Sequence, residues 1–162
     1  MYTHPVRFRK SLQRQSMQWT LTGILLALFS FSADSAWGNG GGLERRASSP
    51  GAVVYIISPA SGETVSSPVL VQFGLRGMGI APAGVEKVGT GHHHLLIDTD
   101  LPSDMSLPIA ADDQHRHYGG GQTETVLELA PGPHTLQLLL GDERHVPLDP
   151  PVVSEKIEIE VQ

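Results

Sequence analysis

The sequence predicts an all-β domain, an immunoglobulin-like antiparallel β-sandwich of about seven strands. Three observations carry the prediction. Beyond residue 52 the apolar residues recur with a period of two instead of 3.6, which is the signature of half-buried strands. The 12 Pro and 18 Gly of the 162-residue chain punctuate it every few residues and leave no room for a helix. Seven short apolar segments, separated by turn-forming residues, then fall within residues 52–162.

The segments, in order, are 53–58, 69–75, 92–98, 107–110, 124–129, 136–140 and 157–161. The second is among the clearest, because Val69, Val71, Phe73 and Leu75 alternate with Leu70, Gln72 and Gly74 and should face a core. Leu136, Leu138 and Leu140 repeat the pattern. In the last segment Ile157, Ile159 and Val161 alternate with Lys156, Glu158 and Glu160, a strand with a charged outer face. Turn signals such as Ser58-Pro-Ala-Ser-Gly62 and Ala130-Pro-Gly-Pro133 separate the strands.

Ahead of this domain the chain has a different character. A basic stretch with Arg7, Arg9, Lys10 and Arg14 leads into an apolar run over 19–31, followed by small residues over 33–38. That order is the layout of a secretory signal peptide, here 1–38, with cleavage expected in 35–38. The apolar run is shorter than the roughly 20 residues of a spanning helix, so no membrane insertion is expected after cleavage. Residues 39–51, rich in Gly and Ser, read as a flexible linker, and 52–162 as the folded domain. The expected localisation is periplasmic or secreted.

Composition narrows the function. With no cysteine, the chain has no disulfide framework, thiolate metal site or thiol nucleophile. Without residues 1–38 it carries seven basic against sixteen acidic residues, a net charge of −9, which argues against nucleic acid as a partner. Ser154 and Thr123 sit in no nucleophile motif, so the chain reads as a non-enzyme with no catalytic residues.

Histidine is the unusual residue. In immunoglobulin strand order the connections 76–91, 111–123 and 141–153 share one end of the sandwich, and each is long enough to suggest a function. His92 and His94 open the third strand at that end, His115 and His117 lie in the second connection, and His145 lies in the third. A His-x-His pair on a strand puts both imidazoles on one face about 6.6 Å apart, from where their nitrogens can converge on a metal. The candidate metal ligands are therefore His92, His94, His115, His117 and His145, and the candidate ion is copper or zinc, since imidazole without thiolate suits Cu(II), Zn or Ni. His93 should point with Leu95 and Ile97 to the core and bond a carbonyl. His134, at the opposite end, should tie down the corner that follows Ala130-Pro-Gly-Pro133. Gly119-Gly-Gly121 lacks the strand-loop-helix setting of a phosphate cradle and reads as a tight turn.

The runs Pro82-Ala-Gly-Val-Glu-Lys-Val-Gly-Thr-Gly-His-His-His-Leu-Leu-Ile-Asp98, His115-Arg-His-Tyr-Gly-Gly-Gly-Gln-Thr-Glu124, His134-Thr-Leu-Gln-Leu-Leu-Leu-Gly-Asp142 and His145-Val-Pro147 closely resemble a family of small exported bacterial proteins known only as a domain of unknown function. The resemblance covers about residues 53–161 and implies a single exported domain; it brings no catalytic residues with it. Gly91-His-His-His-Leu-Leu-Ile-Asp98 is more distantly similar to the Gly-x-His-x-His strand of copper/zinc superoxide dismutases. The bridging histidine, the zinc-site spacing and the disulfide of those enzymes have no counterparts here. The sequence thus supports an exported metal-binding protein. The alternative is a non-catalytic module of the cell envelope that holds a protein or glycan through the same loops, with an exposed patch near Tyr118 and Met78.

Overall fold

The computed structural model describes residues 42–162. The expected leader lies outside them. Nine strands follow in order: β1 (Val53–Ser58), β2 (Thr64–Val65), β3 (Val69–Arg76), β4 (Gly79–Ile80), β5 (Thr90–Ile97), β6 (His115–His117), β7 (Glu124–Leu127), β8 (Gly132–Gly141) and β9 (Ile157–Val161). No helix occurs among the described residues.

One sheet has the order β1-β3-β7. The other has the order β2-β9-β8-β5-β4, with β6 also paired to β5. The long pairings are antiparallel; only the two-residue strands β2 and β4 run parallel to their neighbours. The two main triplets, β1-β3-β7 and β9-β8-β5, are the A-B-E and G-F-C groupings of an immunoglobulin-like sandwich.

The period-two pattern packs the sheets together. Val54, Val69, Val71, Phe73 and Leu127 from the first sheet meet Leu95, Ile97, Leu136, Leu138, Leu140, Ile159 and Val161 from the second in one buried cluster. Leu95, Leu136, Leu138 and Leu140 have no exposed surface, and each such side chain contributes about 1.5–3 kcal/mol by leaving water. A smaller cluster of Leu96, Ile109 and Leu139 covers the opposite face of the second sheet.

Three expectations need correction. Residues 107–110 form no strand. Pro108 has no N–H to offer a ladder, and Ile109 instead buries its side chain in the smaller cluster and donates its N–H to the His145 carbonyl at 2.8 Å. His115 and His117 are not in a loop: they form β6, which pairs with β5 in the register His94↔His117, Leu95↔Arg116 and Leu96↔His115. The stretch from Leu43 to Ser48, within the region whose composition suggested a linker, is laid along the domain. Leu43 donates its N–H to Ser106, Ser48 to Asp149, and Asp149 returns its own to Arg46.

Candidate metal centre

The site grows out of the two faces of β5. Leu95 and Ile97 enter the core, and His93 goes with them, 1% exposed, with its ring 5.2 Å from that of Phe73. Its Nδ1 donates to the Gln122 carbonyl at 3.2 Å, and burial lowers its pKa and keeps it neutral. His92, His94 and Leu96 occupy the other face.

Register then determines which rings meet. His94 lies between Leu139 of β8 and His117 of β6, while His92 lies opposite Gly141, the last residue of β8. The chain turns immediately after Gly141. Asp142 accepts the N–H groups of Arg144 and Val146 through Oδ1 and the Arg144 guanidinium through Oδ2. The turn folds His145, in the left-handed conformation at φ 68°, back over the end of β8. The result is a cluster of four imidazoles, His92, His94, His117 and His145, each offering a nitrogen within 4.8 Å of the others.

His92 Nε2 lies 3.2 Å from His145 Nδ1. Ring centroids of neighbours around the cluster are 4.5 Å (His117–His145), 4.7 Å (His92–His94), 5.0 Å (His92–His145) and 5.1 Å (His94–His117) apart. The remaining pairs are His92–His117 at 5.0 Å and His94–His145 at 5.8 Å, so the rings sit at the corners of a tetrahedron drawn out along one edge.

Two glycines make room for them. A Cβ on Gly141 would come 2.7 Å from His94 Cε1, and a Cβ on Gly119 would come 2.3 Å from His117 Cε1. Any other residue at either position would push an imidazole aside.

The cluster is asymmetric in depth. His92 and His94 are each 1% exposed, whereas His117 faces solvent and His145 is half-buried. Burial, reinforced by the neighbouring rings of His117 and His145, lowers the pKa of His92 to about 4. Burial and then His92 lower that of His94 to about 2. Burial also lowers that of His117. His92, His94 and His117 are therefore neutral at pH 7, which is the form that ligates a metal. Nδ1 of His92 and Nδ1 of His94 are buried without a hydrogen-bond partner, in contrast to the usual pairing of buried polar atoms, whose loss costs about 1–3 kcal/mol.

His115 is the expected ligand that stays apart. It stands opposite Leu96, two residue pairs beyond the His94–His117 pair, and its Nδ1 bonds Asp112 at 2.8 Å. His134 takes the corner role: its Nε2 donates to the Ala130 carbonyl at 2.9 Å and its Nδ1 to the Asp98 carboxylate at 2.6 Å.

Sequence reasoning missed the frame around the outer ligands. Ala83 donates its N–H to the Gly119 carbonyl and Gly84 to the Glu143 carbonyl, so the connection after β4 spans the two segments that carry His117 and His145. Arg46 ties the same region together by pairing with both Glu143 and Glu86 at 2.7 Å. An Asp followed by a short polar run, as in Asp142-Glu-Arg-His145, is a turn signature that would have pointed to the placement of His145.

A family model described as a domain of unknown function, DUF4399, matches residues 71–162, more than half of the chain. The chain belongs to the DUF4399 family. The DUF4399 match contains all four clustered histidines, and also His93, His115 and His134. No curated protein and no solved structure matches the chain. Among the described residues of this DUF4399 protein, no helix is long and apolar enough to cross a membrane.

Proposed function

We propose that this is an exported, non-catalytic protein that binds a transition-metal ion, copper or zinc, between His92, His94, His117 and His145, and that it serves metal storage, delivery or resistance in the periplasm or outside the cell. The observation that carries the reading is the convergence of four imidazoles within 4.8 Å, two of them from the buried interior of one strand. Metal–nitrogen bonds of about 2.0–2.1 Å give a tetrahedral ion nitrogens about 3.3 Å apart, close to the 3.2 Å already present between His92 and His145. The basic, apolar and small-residue order of residues 1–38 supports export.

The test is metal analysis and calorimetry on the full chain prepared without a histidine tag or a nickel column. One equivalent of copper or zinc should bind, and binding should disappear when His92 and His94 are both replaced by Ala. A calorimetric blank with both ions would sink the reading.

An envelope interaction module remains the second reading, favoured by a different surface from the one expected. Tyr118 is buried and Met78 packs against the core, so neither forms a patch. Five of the exposed apolar side chains, Val53, Tyr55, Ile57, Leu70 and Val126, lie instead on the three strands β1, β3 and β7 of the first sheet. Partner capture that survives a chelator and is lost on charging Ile57 and Leu70 would support this reading.

A further inference from the structure

We propose that the ion selected by the four-histidine cluster is Cu(II), in preference to Zn(II). The inference rests on the reading of the cluster as a metal site and goes on to name its occupant. It follows from which donors reach the centre and which are held away.

Every converging donor is an imidazole nitrogen. The nearest buried carboxylate is Asp142, 1% exposed, and both of its oxygens are already committed. Oδ1 accepts the Arg144 and Val146 N–H groups, and Oδ2 accepts the Arg144 guanidinium. It builds the turn that presents His145 and is not among the converging donors. Asp112, ahead of β6, is bonded to His115 at 2.8 Å. Without oxygen ligands the site has nothing for Mg²⁺, Ca²⁺ or Mn²⁺.

Soft donors are absent as well. The chain has no cysteine, and Met78 and Met105 pack against the two apolar clusters. Cu(I), which thioether and thiolate favour, is disfavoured accordingly. Among divalent ions that accept a purely imidazole set, Cu(II) stands at the top of the Irving–Williams order, above Ni(II) and Zn(II). A protein can reverse that order only by imposing a geometry copper rejects. This one imposes no regular tetrahedron: the ring centroids are unevenly spaced, from 4.5 Å for His117–His145 to 5.8 Å for His94–His145. The two outer rings sit on a three-residue edge strand and a turn, and so can adjust where the two on β5 cannot.

The experiment is a competition on the full untagged chain. It is loaded with one equivalent of Zn(II), titrated with Cu(II), and followed by electron paramagnetic resonance and by metal analysis after gel filtration. An equal amount of copper should displace most of the zinc and give a cupric spectrum with hyperfine structure from several nitrogens. That spectrum should change in His117→Ala, whose exposed position spares the fold, and in His94→Ala, but not in His134→Ala. Zinc that binds through these histidines and resists an equal amount of copper would overturn the copper assignment alone. A chain that binds neither ion, or a copper spectrum unaltered by both His117→Ala and His94→Ala, would overturn the metal reading with it.

Discussion

His92 Nε2, at the buried start of β5, and His145 Nδ1, at the tip of the turn after β8, lie 3.2 Å apart although 53 residues separate them in the chain. The two reach each other because Gly141, opposite His92, has no side chain and the next four residues fold back across it. A strand and a turn thereby supply one of the two deep and one of the two outer ligands of the same cluster.

Removing deep ligands should therefore cost more than removing an outer one. The double variant His92→Ala/His94→Ala should lose metal affinity by well over the roughly 10–100-fold typical of a residue that only supports a ligand. His145→Ala should lose less, because three imidazoles still converge, and His115→Ala should change little, its ring being bound to Asp112. Isothermal titration of the variants ranks them. Equal losses for His115→Ala and His145→Ala would contradict the geometry.

Much of this was legible in the sequence, and the reasons differ from element to element. The alternation of β3, β8 and β9 shows directly because each has one face in the core, and the same parity correctly assigned His93 to the core and His92 with His94 to the other side. Residues 107–110 misled because Leu, Pro, Ile and Ala have strand-like hydrophobicity, yet Ile109 is buried against a loop-covered outer face instead of in a ladder. His115 and His117 looked equivalent as a His-x-His pair. Only the register of β6 against β5 separates them, and a single-residue pairing of this kind leaves no local trace in the chain.

The two glycines beside the rings give a second prediction. Gly141→Ala places a methyl group 2.7 Å from His94 Cε1, a ring held on all sides by the sheet, so metal binding should fall while the sandwich still forms. Gly119→Ala meets His117, whose ring is free to swing outward, and its effect should be smaller. Gly79→Ala, where the nearest contact is an ordinary 3.4 Å to Thr90, serves as the control. Metal titration combined with thermal melting of the apo-proteins distinguishes a displaced ligand from a destabilised fold.

Arg46 gives a third. Its guanidinium joins Glu143, two residues before His145, to Glu86 in the connection after β4, and its backbone carbonyl accepts from Asp149. Partly exposed pairs of this type contribute about 0–1 kcal/mol to stability, so Arg46→Ala should melt close to the parent. The segment Leu43–Ser48 should nevertheless become more open to proteolysis, and metal affinity should fall several-fold as the His145 turn loosens. Limited proteolysis with and without metal measures both effects, and an unchanged cleavage rate would argue that backbone bonds alone hold the segment.

The last prediction concerns pH and a part of the molecule remote from the cluster. Both ring nitrogens of His134 face acceptors, Nδ1 the Asp98 carboxylate and Nε2 the Ala130 carbonyl, so both bonds exist together only when the ring carries two protons. Burial opposes that charge, but the Asp98 and Ala130 bonds outweigh it and the His134 pKa is raised. A histidine whose folded-state pKa lies above its unfolded value of about 6.5 gives its full stabilisation below that pH and loses it as pH rises through the folded value. Asp98 is held in place for this pairing: it sits at φ 54° and its second oxygen accepts the Thr135 N–H at 2.7 Å. The stability difference between the parent and His134→Gln, measured by urea denaturation, should accordingly be largest near pH 6 and shrink toward pH 9, with each unit of raised pKa corresponding to about 1.4 kcal/mol. A difference that grew with pH would mean that His134 is neutral in the folded protein and that the Ala130 bond, not the Asp98 pair, secures the corner.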